Sequence, residues 1–182
     1  MNHHSLHIQG LVRFRWIAIA SLIVGTLPLL QAGYLQKNQM PYVMAVVALL
    51  AVFNGLTQGI WSKISADQEQ HVLFGQLYVD LFAAAGILFV TGSANNPFVY
   101  VLCIHAFLGG IFLRGWRGGV FAASTLLILG ILQSETYQDA KVTVNFDDRA
   151  LFFEFLSQWV LVSVSGARSE EHTSELQSHS FI

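Results

Sequence analysis

Charged residues are spaced so unevenly along this chain that the pattern of polar and apolar positions by itself draws the elements. Residues 16–36, 38–62 and 81–113 contain no Asp, Glu, Lys or Arg, giving uncharged runs of 21, 25 and 33 residues. About 20 helical residues cross the hydrocarbon core of a bilayer, so each of the first two runs predicts one crossing. The third run contains Gly92-Ser93-Ala94-Asn95-Asn96-Pro97, a cluster of turn formers that interrupts a helix. It therefore holds the end of one span and the whole of the next. The pattern predicts an all-α, polytopic membrane protein with six transmembrane helices, at 11–35, 41–61, 72–91, 97–113, 118–133 and 150–167.

Composition sharpens this. Of 182 residues, 54% are hydrophobic and 11% charged, where soluble domains run near 25% charged. So few charges do not coat a globular surface, and the solvent is partly lipid. A formal net charge of −2 without a basic block gives no footprint for nucleic acid, and one Cys excludes a disulfide framework within the chain. The first span follows Arg13 and Arg15 as a signal peptide would, but it is long, lacks a good small-residue cleavage site and precedes five further apolar segments. It is expected to stay.

Lys and Arg in short loops set orientation. With the N-terminus inside, the inner side carries Arg13, Arg15, Lys63, Arg114 and Arg117, and the outer side Lys37, Lys141 and Arg149. Five against three favours this topology, with 1–10 a cytoplasmic N-terminus and 11–167 the membrane domain. An even number of spans returns the chain to the cytoplasm. The longest outer loop is then 134–149.

Residues 168–182 differ in character. Arg168-Ser169-Glu170-Glu171-His172-Thr173-Ser174-Glu175-Leu176-Gln177-Ser178 has no apolar periodicity and resembles, codon for codon over eleven residues, the translation of a common short-read sequencing adapter. The expectation is a non-native tail, with the natural protein continuing beyond Ala167; such a segment is excluded from fold reasoning.

Polar groups within the spans are the candidates for function. Asp80 falls near the middle of the third, where a carboxylate costs about 2.5–3.5 kcal/mol on insertion scales and must face protein. Gln76 precedes it by one turn, and Ala83 and Ala84 follow. The second span sets Asn54, Thr57, Gln58 and Trp61 on one face, with Gly55 and Gly59 in small-xxx-small spacing; the sixth has Glu154 and Gln158 at i, i+4. Gln58, Gln158 and the glycines read as interhelical glue. Asp80 and Glu154 are open between that role and function, because an intramembrane acid is a functional candidate. His105 shares a helical face with Phe98, Leu102 and Gly109, the glycine admitting either a neighbouring helix or a flat ligand. It lacks partners at ligand spacing, so no metal site is expected. Cys103 points elsewhere and reads as packing.

Gln76-Leu77-Tyr78-Val79-Asp80-Leu81, followed after apolar helix by Gly92-Ser93-Ala94-Asn95-Asn96-Pro97-Phe98, resembles the third span and following loop of RegB-type redox-sensing histidine kinases. That family carries a Gly-Gly-x-x-Asn-Pro-Phe heptad associated with quinone binding. Gly92, Asn96, Pro97 and Phe98 match, and Ser93 replaces the second glycine. The opening Leu11-Val12-Arg13-Phe14-Arg15-Trp16-Ile17-Ala18-Ile19-Ala20 is similar to the start of that family's first span. The resemblance covers 11–167 and implies a bacterial inner-membrane, multi-pass sensor with both ends cytoplasmic. It also implies a homodimeric full-length kinase, a response regulator as downstream partner, and quinone as ligand.

The physical reading of the heptad stands beside this. Pro97 starts a helix where its missing N–H is no loss, Asn95 or Asn96 caps it, and Gly92 permits the tight turn. All of that serves a reversal of direction. A quinone head needs hydrogen-bond donors at its carbonyls and a slot for its ring, and Asn95, Asn96, Phe98 and His105 supply such groups near the interface. A phospho-acceptor His motif, an ATP lid and the resembling family's regulatory cytoplasmic Cys do not occur in this sequence. The expectation is the membrane sensor region of a truncated two-component kinase. The alternative is a small transporter using Asp80, His105 and Glu154, although the three-span halves show no convincing repeat.

Overall fold

The computed structural model describes residues 5–31, 33, 35–60, 64–142, 154 and 156–165. Among these the chain is almost wholly helical, with no strand. It falls into two compact units, Met1–Thr91 and Gly92–Ile182.

The first unit holds α1 (Ser5–Gln31), α2 (Met40–Ile60) and α3 (Ala66–Val90). Ile19 of α1 meets Val43, Val47 and Leu50 of α2 in a buried cluster, with Leu35 from the connecting turn and Val79, Ala83 and Ile87 of α3 against it. α3 begins at Ser65, whose backbone N–H donates to Gln68 Oε1 at 3.3 Å, the returning half of a capping box. Its polar first turns extend the helix six residues ahead of the predicted start at 72. At the other end Gln39, in the α1–α2 turn, donates its side-chain amide to the Val90 carbonyl at 2.7 Å, satisfying an acceptor that α3 leaves orphaned.

The second unit opens with two 3-10 turns, Ser93–Asn95 and Pro97–Tyr100, and continues into α4 (Val101–Phe112), α5 (Trp116–Val142) and a last described helix, α6 (Leu156–Ser165). α4 packs on α5 at a specific point: Gly109 lies under the fully buried Phe121 ring, and a Cβ there would stand 2.2 Å from Phe121 Cδ1. Of the two occupants that the sequence allowed for this glycine, the neighbouring helix is the one observed.

Four segments, Gly10–Gln31, Met40–Ile60, Gln68–Val90 and Trp116–Thr136, are helices long and apolar enough to cross a membrane. No more than 33% of any of these windows is buried inside the protein, so most of each apolar surface faces outward, as a lipid-bathed helix should. They correspond to the first, second, third and fifth predicted spans. The fourth is found as an apolar helix within a residue of its predicted ends but is not among the four. Its first turn is 3-10 and the apolar helix Phe98–Phe112 is shorter than these four; its 15 residues cover about 22 Å, against a core of about 30 Å. The fifth is corrected at its end, because α5 runs on to Val142, into what the pattern assigned to the loop 134–149. Of the sixth, Leu156–Ser165 is a short apolar helix, while 150–153, 155, 166 and 167 lie outside the described residues, as do 1–4, most of the outer loop's second half and the whole tail 168–182.

Candidate functional site

The densest polar cluster lies in the first unit, where Arg15 and Asp80 are paired. Arg15 Nε donates to Asp80 Oδ1 at 2.6 Å and Nη2 to Oδ2 at 2.7 Å, a two-pronged ion pair between α1 and α3. The arginine is 3% exposed and the aspartate 17%. Nη1 donates to Asn54 Oδ1 at 3.2 Å, Nη2 also reaches the Gln76 carbonyl at 3.4 Å, and the guanidinium carbon sits 5.2 Å from the Phe53 ring centroid. Because arginine only donates, it fixes the Asn54 amide with oxygen toward itself, and Asn54 Nδ2 closes the chain on the Val12 carbonyl at 3.0 Å. Three helices are thus joined around one neutralised charge. Gln76 is buried on the expected stripe, with its side-chain Oε1 unpartnered among the described residues.

Sequence reasoning placed Asp80 correctly as a group that must face protein and missed its partner. Arg15 follows Gly10, where the apolar stretch of α1 begins, by five residues, and it was counted as a flanking charge. The legible signal was an Arg and an Asp of opposite sign, each inside a long, mostly apolar helix. Elsewhere on α2, Thr57 is buried and hydrogen-bonds back to Phe53, and Gln58 accepts from Trp16 Nε1 at 3.4 Å, joining α2 to α1 as glue should. Gly55 and Gly59 face open space, and Trp61 lies outside the described residues.

The heptad forms the entry to the second unit. Gly92 has φ 118° and Ser93 φ 52°, so two successive residues are left-handed before the chain turns into Ala94 and Asn95. Asn96 is buried and is the cap: its Oδ1 accepts from the Phe98 N–H at 2.9 Å as Pro97 starts the second turn. The Asn95 side chain is exposed and the Phe98 ring is 52% exposed. The loop is fastened to α5, where the Thr136 hydroxyl accepts from the Ala94 N–H at 2.9 Å and donates to the Leu132 carbonyl at 3.1 Å.

His105 is half-buried on α4, with Nδ1 2.9 Å from the Val101 carbonyl. A carbonyl only accepts, so Nδ1 carries the proton in this contact. Cys103 is a free, half-buried thiol on the same helix.

A second chain of amides joins α5 to α6. Trp159 Nε1 donates to Gln133 Oε1 at 2.6 Å, and Gln133 Nε2 donates to Gln158 Oε1 at 2.9 Å. Gln158 is 2% exposed, and its own Nε2 has no partner among the described residues. Glu154, one turn before it, is exposed, so the i, i+4 spacing of the two does not bring them into one buried site. Neither Gln133 nor Trp159 stood out in the sequence, since one falls at the end of a predicted span and the other in an aromatic-rich run.

Among the described residues no three His, Cys, Asp or Glu side chains gather where a metal ion could be held. No protein-family model matches the sequence, and neither the curated proteins nor the solved structures give a match.

Proposed function

We propose that this chain is the sensory membrane region of a sensor histidine kinase of the RegB-like kind, and that the ligand it reads is a quinone head group held at the 92–98 loop. The observation that carries the reading is the build of that loop: a residue pattern resembling the quinone-associated heptad, held by the Asn96 cap and the Thr136 anchor, presents an exposed Phe98 ring beside exposed Asn95. The ring offers a stacking face and the Asn95 amide a donor for an oxidised quinone carbonyl. With Nδ1 donating to the Val101 carbonyl, a neutral His105 ring would complement this through Nε2 as an acceptor for the hydroxyl of the reduced form. Quinone and quinol would thus favour different contacts, which a sensor requires, since a ligand binding both of its states equally shifts nothing.

The remaining parts of the proposal are those that the resemblance implies: six spans in a bacterial inner membrane, both ends cytoplasmic, a homodimeric parent kinase, and a response regulator downstream. The engagement of both Asp80 oxygens by Arg15 favours this reading over a transporter, because that carboxylate bolts two helices together.

Equilibrium binding of a short-tailed benzoquinone to the purified chain in nanodiscs tests the ligand. Saturable binding, weakened about tenfold or more by Phe98→Ala, is expected; linear partitioning identical in parent and variant would remove quinone from the reading. Reading the chromosomal gene through codon 167 tests the kinase: a dimerisation helix with a phospho-acceptor His, followed by an ATP-binding core, is expected there.

A further inference from the structure

The amide chain between α5 and α6 has a direction, and the direction leaves a donor over. Indole N–H groups donate and never accept, so Trp159 fixes the Gln133 carbonyl toward itself at 2.6 Å. The Gln133 NH₂ must then face Gln158, at 2.9 Å, and only the Gln158 oxygen can receive it. Turning either amide over would set donor against donor or acceptor against acceptor. The Gln158 NH₂ is therefore the terminal donor of the chain, 2% exposed and without an acceptor among the described residues. Hydrocarbon supplies none, and a buried donor left unmade costs as much as a hydrogen bond or more.

This donor is linked through α5 to the heptad. Gln133 and Thr136 are three residues apart on α5 and hence on one face, about 5–6 Å between Cβ atoms, and Thr136 is the residue that holds the Ala94 N–H of the loop. Loop, α5 and α6 thus share one polar end of the second unit.

We infer that Gln158 Nε2 is a ligand-binding donor, completing at this end of the unit a site for a carbonyl oxygen of a lipid-soluble ligand. The inference rests on the quinone reading and deepens it: one contact comes from the loop, the other from α6. A carbonyl oxygen and a quinol hydroxyl oxygen both accept from Gln158 Nε2, but the quinol's own proton finds no acceptor there, so the α6 contact favours the oxidised ligand. Trp159 is the positioning residue, since it sets the polarity of the chain without itself facing the carbonyl.

The test uses the purified chain in nanodiscs of ether-linked lipid, so that no lipid ester carbonyl competes, titrated with a short-tailed benzoquinone carrying ¹³C at its carbonyls. In the parent the bound carbonyl stretch moves to lower wavenumber; Gln158→Leu abolishes that displacement for one carbonyl and weakens binding about tenfold, the worth of one hydrogen bond. Trp159→Phe keeps the donor but frees the chain to reverse, giving a smaller loss and a broadened carbonyl band. Thermal unfolding of each variant accompanies the titration, and the carbonyl band of Gln158→Asn, whose shorter amide falls short of the ligand, repeats the result should Gln158→Leu not fold. Parent binding with an unchanged spectrum and affinity in the Gln158 variants overturns the inference while the quinone reading stands, the orphan donor then being served by water. No saturable binding by the parent overturns both. Sensitivity to Gln158 without sensitivity to Phe98 supports the inference and moves the ligand from the loop to α6.

Discussion

Each of the two units buries a hydrogen-bonded chain whose direction is set by a group that can only donate, and the two chains end differently. In the first unit Arg15 drives it: both Asp80 oxygens, the Asn54 amide and finally the Val12 carbonyl accept in turn. In the second unit Trp159 drives it, and after Gln133 and Gln158 the chain stops on an amide with nothing to donate to. The difference follows from what is buried. An ion taken out of water costs several kcal/mol and must be neutralised within the fold, so the network around it closes. A neutral amide left open costs about 1–3 kcal/mol, small enough to keep in reserve for a ligand. Gln76 Oε1 qualifies the contrast, since it too is unpartnered, yet a spare acceptor is more common in folded proteins than a spare donor.

The hardest blow to this comparison would come through Arg15. Arg15→Gln leaves Asp80 inside the helical unit without its counter-charge, and about 3–5 kcal/mol of stability should go, as for other broken buried pairs. Asp80→Asn should cost a comparable amount by stranding the guanidinium. The double variant Arg15→Gln, Asp80→Asn should recover most of the loss, because two neutral amides can bond to each other where the ions did. Reversible unfolding in mixed micelles measures all three. A double variant as unstable as the sum of the singles would mean that the pair does more than cancel charge.

Shape takes in the second unit the place that charge holds in the first. Gly109→Ala puts a methyl into the Phe121 ring, and about 1–3 kcal/mol should be lost. Phe121→Leu in the same chain should return part of it by vacating that space. A Gly109→Ala protein with parental stability would mean that α4 and α5 separate easily, and the second unit would then be the looser of the two.

How much of this was legible follows the same divide. Four long apolar helices were readable because exposure to lipid leaves long stretches with few charges, a signal that needs no partner. The extent of α5 was not, since Ser134 to Lys141 is polar yet helical. Asp80 announced itself through the cost of its position. Its partner did not, because which side chain neutralises it depends on the register of α1 against α3. A cap at Asn95 or Asn96 and Gly92 as turn were readable from local rules, though not which asparagine caps; the Trp159–Gln133–Gln158 chain joins residues 25 and 26 positions apart and leaves no local pattern.

A smaller effect tests whether the loop is as built as the amide chain behind it. Asn96→Ala removes the oxygen that accepts from the Phe98 N–H, and about 1 kcal/mol should be lost, the usual worth of such a cap. Thr136→Val deletes the acceptor of the Ala94 N–H from the other side, and hydrogen exchange at that amide should accelerate in the variant.

The smallest effect bears on why the heptad has the residues it has. Ser93 is the one non-glycine residue among those described with positive φ, 52°, and it stands where the resembling pattern has its second glycine. Left-handed backbone costs an L residue about 1–2 kcal/mol, and glycine escapes that cost while losing about 0.5–1 kcal/mol more on ordering. Ser93→Gly should therefore raise stability by about 0.5–1 kcal/mol. Ser93→Ala keeps the strain and discards the hydroxyl, so it should bring no gain. Unfolding of the two variants separates a backbone cause from a side-chain one. Benzoquinone affinity then sharpens the comparison: if Ser93→Gly stabilises the chain and leaves affinity unchanged, the second glycine of the pattern serves the turn, and recognition falls to Phe98, Asn95 and the open end of the α5–α6 chain. If affinity changes while stability does not, the Ser93 hydroxyl itself faces the ligand, and the loop rather than Gln158 holds the discriminating contact.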